Sequence, residues 1–116
     1  MSTIQLSARF MIHEGKQHEF KAIGKQCMQV VLEKDTGNLQ YDWFFSEDEK
    51  ECIVRETYKN SETLLEHIGN VGALLGQILT ISDFTLELYG MPSEALLGAI
   101  APFSTKLYTP FQSKAD

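Results

Sequence analysis

Residues 4–12 alternate. Ile4, Leu6, Ala8, Phe10 and Ile12 share one parity, with Gln5, Ser7 and Arg9 on the other, which predicts a strand with two unlike faces. His13-Glu14-Gly15 closes it. The period then lengthens. Phe20, Ile23, Cys27, Val30 and Val31 recur at steps of three and four within residues 16–34, one stripe of a helix. Asp35-Thr36-Gly37-Asn38 stops that helix with residues that tolerate a positive φ. Residues 39–46 alternate again, with Leu39, Tyr41, Trp43 and Phe45 opposed to Gln40, Asp42 and Phe44. Glu47-Asp48-Glu49-Lys50 reads as a charged hairpin, and residues 51–59 as the returning strand.

Ser61 with Glu62 looks like the start of a second helix, with Asn60 as a competing cap. That helix runs to about residue 79 on Leu64, Leu65, Ile68, Val71, Leu74, Leu75 and Ile78. Gly69, Gly72, Ala73 and Gly76 interrupt it. The glycines lower its propensity, and this small-residue run would let another element approach or leave space for a ligand. Residues 83–89 form a fourth strand, Gly90-Met91-Pro92-Ser93 a turn and cap, residues 94–101 a short helix and residues 105–109 a short last strand. The order is βαββαβ with an α–β tail, an α+β fold of the ferredoxin-like, split βαβ kind.

The 116 residues fit one domain spanning 1–116, a usual domain size. With 43% hydrophobic and 10% aromatic residues the chain can bury a true core, unlike a disordered one. Ten basic residues against sixteen acidic, a net charge of -6, argue against nucleic acid or an anionic membrane as partner, because phosphate contacts need clustered Lys and Arg. No apolar run approaches the roughly 20 residues that span a bilayer, and the start shows no secretory pattern. Cys27 and Cys52 are too few for a disulfide framework or a zinc site, so free thiols and a cytoplasmic location are expected, with the thiols as inert core residues.

Two helices on one side of a four-stranded sheet leave the other face open. It would carry Ser7, Arg9, Met11, Asp42, Phe44, Ile53, Arg55, Thr57, Thr85, Glu87 and Tyr89. Exposed aromatic and aliphatic side chains there point to a second copy of the sheet, hence a homodimer. The plainer reading is a solvated face with Arg9 and Arg55 paired to Asp42 and Glu87.

The helix-facing side holds the candidate chemistry. Strand three places Cys52, Val54, Glu56 and Tyr58 on one parity, and a carboxylate under helices is costly unless partnered. His67 follows Leu64 by three residues and precedes Val71 by four, so it sits on the apolar stripe. Glu56, Tyr58 and His67 could thus meet between sheet and helix, with Trp43 and Tyr41 as a wall and Phe10, Val71 and Phe84 as further lining. The plainer readings are a satisfied core histidine, a glutamate paired with Arg55, Lys59 or a backbone donor, and aromatic residues that simply fill the core. His13 and His18 flank the first helix and are expected to face solvent.

The stretches ARFMIHEGK, YDWFFSEDEKECIVRETYKNSETLLEHI and FTLELYG resemble the antibiotic biosynthesis monooxygenase family over about residues 6–108. The most specific piece is Glu56-x-Tyr58 followed by a capped helix with His67, similar to the family's E-x-Y/W segment and its A-x-x-x-H helix. The resemblance implies a dimeric α+β barrel of two sheets face to face and a ligand cavity between sheet and helices. It implies oxidation of quinols or polycyclic anthrone-type phenols by O₂ without metal or flavin. The substrate supplies the electrons once a base has removed its proton, and the protein supplies a dry, aromatic-lined pocket.

On this chain the resemblance makes His67 the proton acceptor and gives Glu56 the task of orienting it, with Tyr58 and Trp43 stacking on or hydrogen-bonding the ring. Many relatives carry a second His a few residues later, where this chain reads Gly69-Asn70-Val71-Gly72. The haem-degrading branch relies on an Asn in the first strand, a Trp in the second helix and a later His. Here those positions hold the region of Ala8, no Trp (the only one is Trp43) and no His after His67. The alternative function is non-catalytic binding of a small apolar ligand, such as a fatty acid or an aromatic, in the same cavity. A third, weaker reading is a subunit whose only duty is its dimer surface.

Overall fold

The computed structural model describes residues 3–115. The elements are β1 (Ile4–Ile12), α1 (Gln17–Lys34), β2 (Asn38–Phe45), β3 (Glu51–Tyr58), α2 (Ser61–Ile78), β4 (Ser82–Tyr89), α3 (Glu94–Ile100) and β5 (Thr105–Tyr108). They build one mixed sheet in the order β2-β3-β1-β4-β5. The first four strands pair antiparallel in ferredoxin-like order, and β5 adds a short parallel edge beside β4.

Register fixes which side chains share a face. Opposite Ile4, Leu6, Ala8 and Phe10 lie Tyr58, Glu56, Val54 and Cys52 on one side, and Leu88, Leu86 and Phe84 (opposite Leu6, Ala8 and Phe10) on the other. Tyr41, Trp43 and Phe45 continue this row on β2. These residues form the core with Phe20 of α1 and Leu64 and Ile78 of α2. Burying each large side chain stabilises the fold by about 1.5–3 kcal/mol. Leu39 departs from the row: the β2–β3 register shifts between Asn38 and Gln40, and Leu39 is exposed. The extra residue breaks the period of two.

Three local expectations change. Asn60, not Ser61, caps α2: its side chain accepts from the Thr63 N–H at 2.9 Å, and the Thr63 hydroxyl accepts from the Asn60 N–H at 3.2 Å. Ser61 Oγ instead accepts from the Ser93 N–H. The turn after α1 uses no positive φ. Asp35 is extended (φ -71°, ψ 134°), and Gly37 serves close packing, since a Cβ there would lie 2.2 Å from Thr63 Cγ2. The small residues of α2 do not face the core. Gly72, Ala73 and Gly76 are exposed, and a Cβ on Gly69, Gly72 or Gly76 would meet nothing within 4 Å.

On the open face Arg9 pairs with Glu51 rather than Asp42 or Glu87. Glu87 accepts from the Tyr89 hydroxyl at 2.7 Å, and Asp42 from the Gln40 amide at 3.1 Å. Arg55 Nε is buried with no partner, so the four-charge pairing expected within the chain is not formed. Phe44 is 56% exposed and Met11 45%, an apolar component on an uncovered sheet. Among the described residues no helix is long and apolar enough to cross a membrane.

Candidate functional site

The site grows from three ordinary local structures. On β3 the alternation that buries Cys52 and Val54 also buries Glu56 and Tyr58. On α2 the helical stripe that buries Leu64 and Val71 carries His67 inward. At the end of α1 the chain leaves the helix at Asp35, whose side chain is only 1% exposed. Between sheet and α2 lies a partly open, largely apolar cavity of about 60 Å³, lined by Phe10, Tyr41, Trp43, Val71, Phe84 and Phe103 among others. Glu56 and His67 supply its carboxyl and imidazole groups.

These groups form a chain. Asp35 Oδ2 lies 2.7 Å from His67 Nδ1. The same carboxylate accepts from Asn70 Nδ2 at 2.8 Å and from Asn38 Nδ2 at 3.2 Å. Three donors thus compensate a carboxylate removed from water. With Nδ1 directed at Asp35, Nε2 is the ring nitrogen turned toward Glu56. Nε2 lies 3.6 Å from Glu56 Oε1, an electrostatic contact longer than a hydrogen bond. Glu56 Oε1 in turn accepts from the Tyr58 hydroxyl at 2.5 Å.

Burial pushes the Glu56 carboxyl above its usual range; His67 and the Tyr58 hydroxyl oppose this, and the Asp35 charge adds to it. Burial and the neighbouring Glu56 raise the Tyr58 and Tyr41 hydroxyls as well. The chain therefore joins the imidazole Nε2 to a carboxyl whose ionisation burial disfavours. A side chain able to take a proton sits beside one able to give it.

Each residue singled out from the sequence can now be placed. His67 and Glu56 line the cavity, as do Trp43, Tyr41, Phe10, Val71 and Phe84. Tyr58 is fully buried behind Glu56 and is not part of the wall. The rings beside His67 are Tyr58 and Tyr41, each at 5.2 Å. Trp43 packs instead on Phe10, Phe20 and Tyr41. Glu56 makes no bond to Arg55 and pairs with Tyr58 and His67. His13 and His18 are exposed, and His13 lies 3.1 Å from Asp83. Cys27 and Cys52 are free and buried, with burial pushing their thiols up to about 11 and about 12, so neither is a ready nucleophile.

Asp35 was not singled out. In the sequence it reads as a turn residue, because Asp is common where helices end. Asn70, three residues after His67, was the available signal: it places a second polar group on the same helical face. Among the described residues no cluster of three or more His, Cys, Asp or Glu side chains is arranged to hold a metal ion.

The family model described as antibiotic biosynthesis monooxygenase matches residues 3–71, the stretch that contains β1 through His67 and Asn70. The chain belongs to the antibiotic biosynthesis monooxygenase family. Among solved structures, MupZ from Pseudomonas fluorescens is similar at 22% identity, covering 97% of this chain and 93% of its own, with a TM-score of 0.84. Rv0793 from Mycobacterium tuberculosis matches at 22% identity over 81% of this chain and 99% of its own, TM-score 0.69. SnoaB, a cofactor-independent oxygenase from Streptomyces nogalater, matches at 10% identity over 80% of this chain and 96% of its own, TM-score 0.68. At these identities the likeness concerns the fold. No curated protein matches the chain in sequence.

Proposed function

We propose that this family member is a cofactor-independent monooxygenase acting on a small quinol-like or polycyclic aromatic molecule. The observation that carries the reading is the buried chain Asp35–His67···Glu56–Tyr58 at the wall of an otherwise apolar cavity. His67 Nε2 takes a phenolic or activated C–H proton, and Asp35 stabilises the imidazolium that forms. The electron-rich carbanion or phenolate then reduces O₂. For a methylene flanked by two aryl groups the balance is Ar₂CH₂ + O₂ → Ar₂C=O + H₂O. Glu56, whose carboxyl burial pushes above its usual range, returns a proton to the departing oxygen.

The cavity qualifies the substrate. At about 60 Å³ it is smaller than the roughly 300–1,000 Å³ that drug-sized ligands occupy. A three-ring substrate enters only as the wall yields, and Phe84 and Phe103, in edge contact at 5.5 Å, are the side chains that give way. O₂ uptake with a panel of one- to three-ring quinols and anthrones tests the reading. Uptake that is lost in His67→Ala supports it; uptake unchanged in that variant removes His67 as the base.

The apolar wall also favours a second reading, carriage of an apolar aromatic or fatty acid without turnover. Binding of such molecules with no O₂ consumption by any quinol would select it. We further infer that two copies pack open face to open face, which would cover Phe44 and Met11 and give the unpartnered Arg55 an acceptor.

A further inference from the structure

Among the described residues two buried side-chain polar atoms have no partner, and one belongs to a residue that lines the cavity. It is Nε1 of Trp43. A buried N–H without an acceptor is rare in folded proteins and calls for a physical reason. Its surroundings offer none within the chain. The rings around the indole are Phe10, stacked at 6.3 Å, Phe20 at 5.9 Å and Tyr41 at 5.8 Å.

The orientation of the indole is fixed from the other side. Its benzo edge presses on α1: a Cβ added at Gly24 would lie 2.9 Å from Trp43 Cζ3. Cζ3 is diametrically across the six-membered ring from Cε2, the atom that carries Nε1. The N–H edge is therefore turned away from α1 at Gly24 and is buried, and the glycine is what lets the ring sit so.

We propose that the indole N–H of Trp43 is the polar anchor of the cavity, so that its ligand carries an acceptor oxygen of the ketone, quinone or phenolate class. The proposal rests on the cavity being the ligand site, as above, and adds which end of the ligand binds where. On β2, Tyr41 lies opposite Glu56 and Trp43 opposite Val54, so the anchor is two residues, or about 7 Å, along the strand from the acid–base chain. A ligand spans that gap with its oxygen at Trp43 and its transferable proton at His67. When a C–H acid conjugated to a carbonyl loses its proton, negative charge moves to the oxygen. A donor waiting there stabilises the enolate more than the ketone. A saturated hydrocarbon leaves the donor as unpaired as it is now, so among guests of one size the site favours those that carry the oxygen.

The chain has a single tryptophan, so ¹⁵N-labelled protein shows one indole resonance, and that resonance reports the anchor directly. The probes are 1-tetralone and tetralin, the same bicycle with and without a carbonyl. Tetralone is expected to bind about tenfold or more tighter, the scale on which an unpaired buried donor is felt, and to move the indole proton downfield, while tetralin leaves it in place. In Trp43→Phe, which keeps a ring against Phe10, the preference falls to near unity. Equal binding of the two probes, binding of neither, or a still indole resonance with tetralone bound overturns the proposal. Should Trp43→Phe fail to fold, the wild-type indole shift decides alone. Ketone preference without O₂ consumption by any quinol would leave the anchor standing and remove the oxygenase reading. Turnover with an unmoved indole would do the reverse.

Discussion

His67 Nδ1 lies 2.7 Å from Asp35 Oδ2, across 32 positions of sequence, and the contact ties the end of α1 to the middle of α2. Because Asn38 and Asn70 hold the same carboxylate, it has little freedom to turn away. The imidazole is thereby fixed in rotation and in tautomer, with one nitrogen committed and the other free at the cavity.

Asp35→Asn keeps the shape and removes the charge that supports an imidazolium. Turnover of a quinol substrate should fall on the order of 10²-fold or more in kcat with little change in KM, since the contact strengthens as the proton moves. Steady-state O₂ uptake measures it. An unchanged kcat would mean that the dyad serves packing only.

Glu56→Gln tests the raised carboxyl. A folded pKa above the unfolded value of 4.5 means that folding favours the protonated form. Its stability contribution is full below that value and is lost as pH climbs through the folded one. Gln keeps the neutral form's shape at every pH. Thermal melts at about pH 5 and about pH 8 should show the variant gaining on wild type toward alkaline pH. Parallel profiles would show an ordinary carboxyl.

Two glycines should respond in opposite directions. Gly37→Ala puts a methyl 2.2 Å from Thr63 Cγ2, against the residue that completes the α2 cap, and should cost about 2 kcal/mol. Gly72→Ala meets nothing within 4 Å and should stabilise by about 0.5–1 kcal/mol through helix propensity. Urea denaturation separates them. A loss at Gly72 would reveal something covering that helix face in solution.

Phe44→Glu addresses the open sheet. If two copies meet there, the substitution buries charge at the contact and should convert a dimer to a monomer by sedimentation. An unchanged mass would place the assembly elsewhere or remove it.

The element order and the inward parity of β1, β3 and β4 could be read from the chain, because alternation along these strands and the stripe on α2 are long and consistent. The meeting of Glu56, Tyr58 and His67 followed from the same parity. Three things could not be read. Asp35 carries no periodic signal, and only the path of the chain after α1 shows its carboxylate under α2. The glycines of α2 suggest room for another element or a ligand, but they occupy the helix's outer side. Leu39 obeyed the alternation in sequence, yet a one-residue irregularity turned it to solvent. Local pattern predicts faces well where pairing is regular, and fails where one residue breaks the register or a turn reaches across the fold.

Phe103 has a consequence for the range of guests. It closes the cavity from the connection between α3, seven residues long, and β5, four residues long, while most of the wall hangs on β1–β4 and the 18-residue α2. A short C-terminal unit thus sets part of the room inside the protein. Width is then adjustable at small energetic cost, by loosening the C-terminal staves while the proton-handling side stays rigid.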